Sequence, residues 1–234
     1  MSRRFWDWHA IISYNHKTKV SPYQERIEDI IKTLEIQRNN LILDAGCGTG
    51  YLIKVIKEKH PSAQIEAIDF SREMLNRTAK RCKDLKNINF KEADLNERLP
   101  YPPNTFDSVV CDNVLYAVPR PDFTLKEFFR VLKPEGKLVV VIPKPKIDGP
   151  SIIYHHFRGL KSPWQKTKAF FGILITYILI LPFEKSIDQK IKQGTYHALT
   201  GDEVLTLMDK IGFIEGKIGL TFADQNWIIT AQKP

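Results

Sequence analysis

From residue 40 onward, short apolar runs alternate with stretches of helical spacing. Residues 41–44, Leu-Ile-Leu-Asp, predict a buried strand, and residues 51–59 a helix stopped near His60-Pro61. A second strand is expected over 65–69, and Ser71 then caps a helix running to about Lys83. Residues 88–91 form a short third strand and residues 105–111 a fourth. Residues 122–132 read as a helix ended by Lys133-Pro-Glu-Gly136, and the β-branched run at 137–142 as a fifth strand. Ahead of this core, residues 22–38 predict an amphipathic helix with Ile27, Ile30, Ile31 and Leu34 on one face. After Ile142 the rhythm breaks until Thr200-Gly-Asp-Glu203, which opens a helix ending near Gly212. Two more strands follow, over 216–221 and 227–231. Strands alternating with helices predict a parallel sheet covered on both faces.

Composition agrees with that picture and narrows the compartment. The chain has 234 residues, 43% hydrophobic and 26% charged, enough apolar surface for one domain with an insertion and too much for a disordered or fibrous chain. Cys47, Cys82 and Cys111 have neither zinc-ligand nor CxxC spacing, so no metal and no disulfide scaffold is expected. The basic N-terminus is followed by no apolar segment of leader type, and the chain is expected to be cytoplasmic.

The net charge is +8, and its distribution is uneven. Between Lys144 and Lys192 nine basic residues face three acids, so this segment holds most of the excess. Such a balance suits nucleic acid, an anionic membrane surface or an acidic substrate.

The chemistry centres on Leu41-Ile-Leu-Asp-Ala-Gly-Cys-Gly-Thr-Gly50. A strand runs into Gly46, Gly48 and Gly50, which permit a tight turn and close approach of a ligand, and the next helix offers free N–H groups at its start. A dinucleotide fingerprint would read GxGxxG. Here the spacing is GxGxG with Asp44 two positions before the first glycine, which suits a zwitterionic amino-acid moiety better than a pyrophosphate. Asp69 follows 25 positions after Asp44, at the end of the second strand, where a carboxylate can accept from a ribose diol. Phe70 and Met74 supply an apolar wall for a purine, although Met74 equally fits plain core. Asp94, between Ala93 and Leu95, suits an exocyclic adenine amine, or a turn. Ala45 and Cys47 complete the loop, with the Cys47 backbone mattering more than its thiol.

These residues resemble the class I S-adenosylmethionine-dependent methyltransferases, closely over residues 36–142 and loosely in the last two strands. Leu43-Asp-Ala-Gly-Cys-Gly-Thr-Gly50 is similar to the family's first motif, Ile68-Asp-Phe-Ser-Arg-Glu-Met-Leu75 to its ribose and adenine motif, and Val131-Leu-Lys-Pro-Glu-Gly136 to the turn before its fifth strand. The segment 93–107 looks like the stretch preceding the fourth strand. The resemblance implies S-adenosyl-L-methionine as cofactor and a Rossmann-like, seven-stranded, mostly parallel sheet with helices on both faces, the last strand antiparallel and an insertion after strand five. It implies cofactor contacts at Asp44, Ala45, Gly46, Cys47, Gly48, Gly50, Asp69, Phe70, Met74, Asp94, Leu95 and Asn113. It also places the stretch Cys111-Asp-Asn-Val-Leu-Tyr116 beside the reactive methyl, with Asn113 and Tyr116 as candidate catalytic residues.

The same stretch bears on the acceptor. It lacks the Pro-Pro motif of amino-methylating nucleobase enzymes, and no Pro-Cys pair exists, which argues against nucleic acid as partner. Residues 169–181 are thirteen uncharged residues closed by Pro182, flanked by Lys161, Lys166, Lys168 and Lys185 with Tyr154 and Trp164 nearby. As a helix they span roughly 20 Å at about 1.5 Å per residue, short of the roughly 30 Å of a bilayer core. They suit an anionic membrane interface, a pocket lid or a dimer contact. His155 and His156 are candidate bases for a phenol or enol, or surface histidines. The aromatics Phe5, Trp6, Trp8 and Tyr14 either cap the site or pack on the core. The organisation expected is an N-terminal helical arm at 1–38, a cofactor-binding core at 39–142, a hydrophobic and basic insertion at 143–199, and the rest of the core at 200–234. The function expected is methyl transfer to a hydrophobic or amphiphilic small molecule, a lipid or prenylated quinone first. A soluble metabolite methyltransferase and a catalytically silent cofactor-binding partner are the alternatives.

Overall fold

The computed structural model describes residues 21–146, 148–158, 160, 162, 164 and 189–234. Seven strands form one sheet: β1 (Leu41–Ala45), β2 (Gln64–Asp69), β3 (Ile88–Glu92), β4 (Phe106–Asp112), β5 (Leu132–Pro143), β6 (Ile214–Thr221) and β7 (Asn226–Gln232). Among the described residues six α-helices accompany them: α1 (Ser21–Leu34), α2 (Tyr51–Lys59), α3 (Arg72–Arg81), α4 (Pro121–Val131), α5 (Gly149–Arg158) and α6 (Gly201–Ile211). The strand order is β3-β2-β1-β4-β5-β7-β6. The pairs among β1 to β5 are parallel, and β7 runs antiparallel to both β5 and β6.

The period-two alternation of the central strands builds two cores. Leu43, Val109 and Val140 point into one layer with Leu125 and Phe128 of α4 and Val204 and Met208 of α6. Their neighbours Ile42, Val110 and Val139 point the other way, onto Ile27 and Ile30 of α1 and Ile53 and Ile56 of α2. Strands apolar on both faces are the mark of a parallel sheet buried between helices.

Local chemistry sets the boundaries. The Ser71 hydroxyl accepts from Met74 N–H and caps α3. Thr200 and Glu203 form a reciprocal capping box on α6, which Gly212 closes in a left-handed conformation at φ 111°. α1 stops at Leu34, short of Arg38, because Glu35 turns left-handed at φ 49° and breaks the helical ladder. β5 starts at Leu132, five residues before the expected start. The Lys133–Gly136 turn sits inside it as a bulge, marked by Glu135 at φ 63° and a register shift against β4. Within 143–199, α5 is an element with no sequence expectation, and it packs on α1. The aromatics near residues 5–14 and the apolar run 169–181 lie outside the described residues.

Candidate active site

β1 and β4 are adjacent in the sheet, yet their crossover connections leave in opposite directions. This is the switch point at which open α/β sheets bind ligands, outside the carboxyl ends of the strands. Asp44, Asp69 and Asp112 all stand at those ends.

The glycine loop is held by its neighbours. Gly46 and Cys47 N–H both donate to the Ile68 carbonyl, at 2.8 and 2.9 Å. Gly46, Gly48 and Gly50 adopt φ of 83°, 56° and 73°. At Gly46 a Cβ would meet Val114 Cγ2 at 2.5 Å, so the loop and the segment after β4 approach as closely as glycine allows. Two α3 side chains clamp the loop. The Thr78 hydroxyl donates to the Gly48 carbonyl at 2.7 Å, and Arg81 Nη1 donates to the carbonyl and hydroxyl of Thr49 at 2.7 and 2.8 Å. Neither residue was expected from sequence. Helical spacing puts both on one face of α3, but nothing in the pattern says what that face touches.

A cleft of about 660 Å³, counting the space open to solvent, lies beside the loop. It brings together Gly46, Gly48, Asp69, Phe70, Met74, Asp94, Leu95 and Asn113 with Val114 of the stretch expected near the methyl, and with Ala117 and Val118 as lining that sequence reasoning missed. Asp69 accepts from Gly48 N–H at 3.0 Å through one oxygen and from Ser71 N–H at 2.9 Å through the other, so its orientation is fixed by backbone. Asp94 is exposed and closes a turn, accepting from Asn96 N–H at 2.9 Å.

A second cavity of about 300 Å³ shares Gly46 with the first and is lined by Tyr23, Asp44, Cys47, Tyr51 and Asp112 among others. Asp44 is 2% exposed, and its Oδ2 has no hydrogen-bond partner among the described residues. Burial, with the nearby Asp112 and Asp69 carboxylates, holds its carboxyl well above the usual range. Asp112 is raised by burial against the opposing pull of Arg26, whose Nη2 lies 3.2 Å from its Oδ2. Arg26 stacks over Tyr23 at 4.4 Å, and burial pushes the Tyr23 phenol up to about 12. An unpaired buried carboxylate is costly unless a cation meets it, so this cavity fits the ammonium end of an amino acid.

Other expected site residues line neither cavity. Ala45 is buried in the sheet core, and Gly50 turns the loop into α2 against Thr78. Tyr116 is buried edge-on against Tyr196, their ring centroids 5.9 Å apart. His155 lies on α5. His156, on the same helix, accepts the Ser21 N–H at 3.1 Å through Nδ1, with the Ser21 hydroxyl 3.0 Å away. That bond requires a lone pair on Nδ1, so the ring is neutral and seals the start of α1.

The methyltransferase-domain family matches residues 36–209, which include the glycine loop and every residue lining the first cleft. The chain belongs to the class I S-adenosylmethionine-dependent methyltransferases. Within this family it is 34% identical over 143 residues to a demethylmenaquinone methyltransferase of Geobacillus sp. (strain WCH70), covering 59% of this chain and 61% of that one. The chain thus spans less than two thirds of that relative's length. It is 25% identical over 192 residues to a malonyl-[acyl-carrier protein] O-methyltransferase of Halalkalibacterium halodurans, covering 79% and 68%. The fold is similar to that of a SAM-dependent methyltransferase from Aquifex aeolicus, with a TM-score of 0.63 at 17% identity over 90% of each chain. The seven-stranded family fold, its last strand antiparallel, is the one expected from sequence. No helix among the described residues is long and apolar enough to cross a membrane.

Proposed function

We propose that the protein transfers a methyl group from S-adenosylmethionine to a hydrophobic or amphiphilic small molecule, a prenylated quinone or a related lipid. The observation that carries the cofactor reading is the pair of cavities meeting at Gly46. One has the backbone-oriented Asp69 and the apolar Phe70 and Met74 for a nucleoside, and the other has an Asp44 oxygen without a partner among the described residues for an amino-acid tail. When bound, the cofactor supplies a methyl group activated by its sulfonium.

The residues then have separate tasks. Asp69, oriented by its backbone partners, accepts from the ribose hydroxyls. Phe70, Met74 and Leu95 cover the base. Asp44 holds the ammonium. Asn113 and Val114 border the cleft at the strand end facing Gly46, and there they limit the space open to acceptor and water. Alignment and exclusion of water are the contributions such a site can make to an in-line displacement.

The acceptor class is supported by the demethylmenaquinone methyltransferases among the relatives and by the composition of residues 143–199. That stretch joins thirteen uncharged residues to a run of lysines, which suits a greasy acceptor taken up at an anionic membrane surface. We assign it to the acceptor side and residues 39–142 with 200–234 to the cofactor core. The test is transfer of labelled methyl from S-adenosylmethionine to a prenylated naphthoquinol in anionic vesicles, in neutral vesicles and in detergent. Label in the quinol, fastest on anionic vesicles, is expected. Cofactor binding with no label in any arm overturns the acceptor reading.

A further inference from the structure

On β1, Ile42 and Asp44 point to the same face, and on β4 Val110 and Asp112 share it. Asp44 pairs in register with Val110, so the two acids occupy adjoining strand ends, where the apolar row of that face would otherwise continue. Both line the second cavity. The two carboxylates are held differently. Asp112 Oδ2 faces Arg26 at 3.2 Å, and Arg26 is itself packed over Tyr23 at 4.4 Å and Phe222 at 5.3 Å. Asp112 Oδ1 and Asp44 Oδ2 are both buried with no hydrogen-bond partner among the described residues.

Two carboxyl oxygens without a partner among the described residues share one small cavity beside one guanidinium, an arrangement that favours a cationic N–H donor. An ammonium group offers three N–H donors. We infer that Asp112 is a second acceptor, beside Asp44, for the ammonium of the cofactor's amino-acid end, and that Arg26 positions it. This rests on the reading of S-adenosylmethionine as the ligand and adds a residue to it. Arg26 fixes one oxygen of Asp112 and leaves the other for the ligand. Through it α1, which precedes the glycine loop in sequence, helps to shape the amino-acid end of the site.

The experiment is calorimetric titration with two ligands. S-adenosylhomocysteine carries the amino-acid tail, and 5′-methylthioadenosine lacks it. Asp112→Asn is expected to weaken S-adenosylhomocysteine by about tenfold to a hundredfold, the loss of a charge-assisted hydrogen bond, and to leave 5′-methylthioadenosine within about twofold. Arg26→Gln should weaken the same ligand selectively, with Arg26→Lys recovering part of the loss. If Asp112→Asn does not fold, Asp112→Ser carries the same comparison. Unchanged affinity for both ligands overturns the inference, and so does equal weakening of both, which would mean a distorted loop. Failure of the unmodified protein to bind either ligand would instead remove the cofactor reading.

Discussion

Asn226 Nδ2 donates to Asn113 Oδ1 at 2.9 Å, tying the first residue of β7 to the residue that follows β4 at the edge of the cleft. Asn113 is left-handed at φ 56°, and its N–H donates to the Val141 carbonyl at 2.9 Å. Three strand ends therefore hold one strained residue. Asn226→Ala removes the buried donor and should cost about 1–3 kcal/mol. At about 2–4 °C per kcal/mol for a chain of this size, melting reads the loss. Turnover should fall more than S-adenosylmethionine affinity, because Asn113 borders the acceptor side. Loss confined to affinity would contradict this.

Gly46→Ala adds a carbon 2.5 Å from Val114 Cγ2 at a φ of 83°. Left-handed strain alone is about 1–2 kcal/mol, and the contact must also push Val114 into the cleft. Affinity for S-adenosylhomocysteine should fall at least about tenfold, and a second change, Val114→Ala, should recover part of it. No recovery would mean that strain, not the valine, is responsible.

Asp44 has a folded pKa well above its ordinary 3.8. A raised carboxyl favours the folded state below the unfolded pKa, and that advantage is lost as pH rises through the folded pKa. At neutral pH the empty site therefore carries a cost, and Asp44→Asn should remove it. The variant should melt higher than the unmodified protein at pH 7 by about 1–3 kcal/mol equivalent, with the gap shrinking toward pH 4, and should bind S-adenosylhomocysteine poorly. A lower melting point at pH 7 would show that Asp44 is satisfied in the free protein.

His156 has its pKa lowered from 6.5 by burial, and its Nδ1 accepts from Ser21. Its contribution is present above 6.5 and lost as pH falls through the lower folded value, because protonation turns the acceptor into a donor. His156→Asn keeps an acceptor at that place without a titrating ring. Between pH 7.5 and pH 5.5 the variant should lose less melting temperature than the unmodified protein. Equal slopes would place the acid sensitivity elsewhere.

Much of the lining of the larger cleft was legible in sequence, because its residues lie on strand ends and in a loop whose glycine spacing is itself a local signal. Asp69, Phe70, Met74 and Leu95 all reach the cleft. The smaller cavity was legible at Asp44, Gly46 and Cys47. Tyr23, Arg26 and Asp112 meet there through the packing of α1 across the sheet, and amphipathic spacing in α1 reports which face is buried, not what meets it. Tyr116 and His156 carry chemically suggestive side chains, yet tertiary contacts with Tyr196 and Ser21 engage them. The start of β5 was misread because Pro134 and Gly136 signal a turn equally well as a linker or as a bulge inside a strand.

Ile42 with Asp44, and Val110 with Asp112, place hydrophobic anchor and acid on a single two-residue beat. Deleting or inserting one residue near the end of either strand would rotate both together, sending the apolar side chain and the carboxylate to the opposite face at once. Homologous chains can therefore exchange residues along these strands but cannot change their length without losing solubility and ligand recognition in the same step. Length variation should gather in the loops beyond the strand tips.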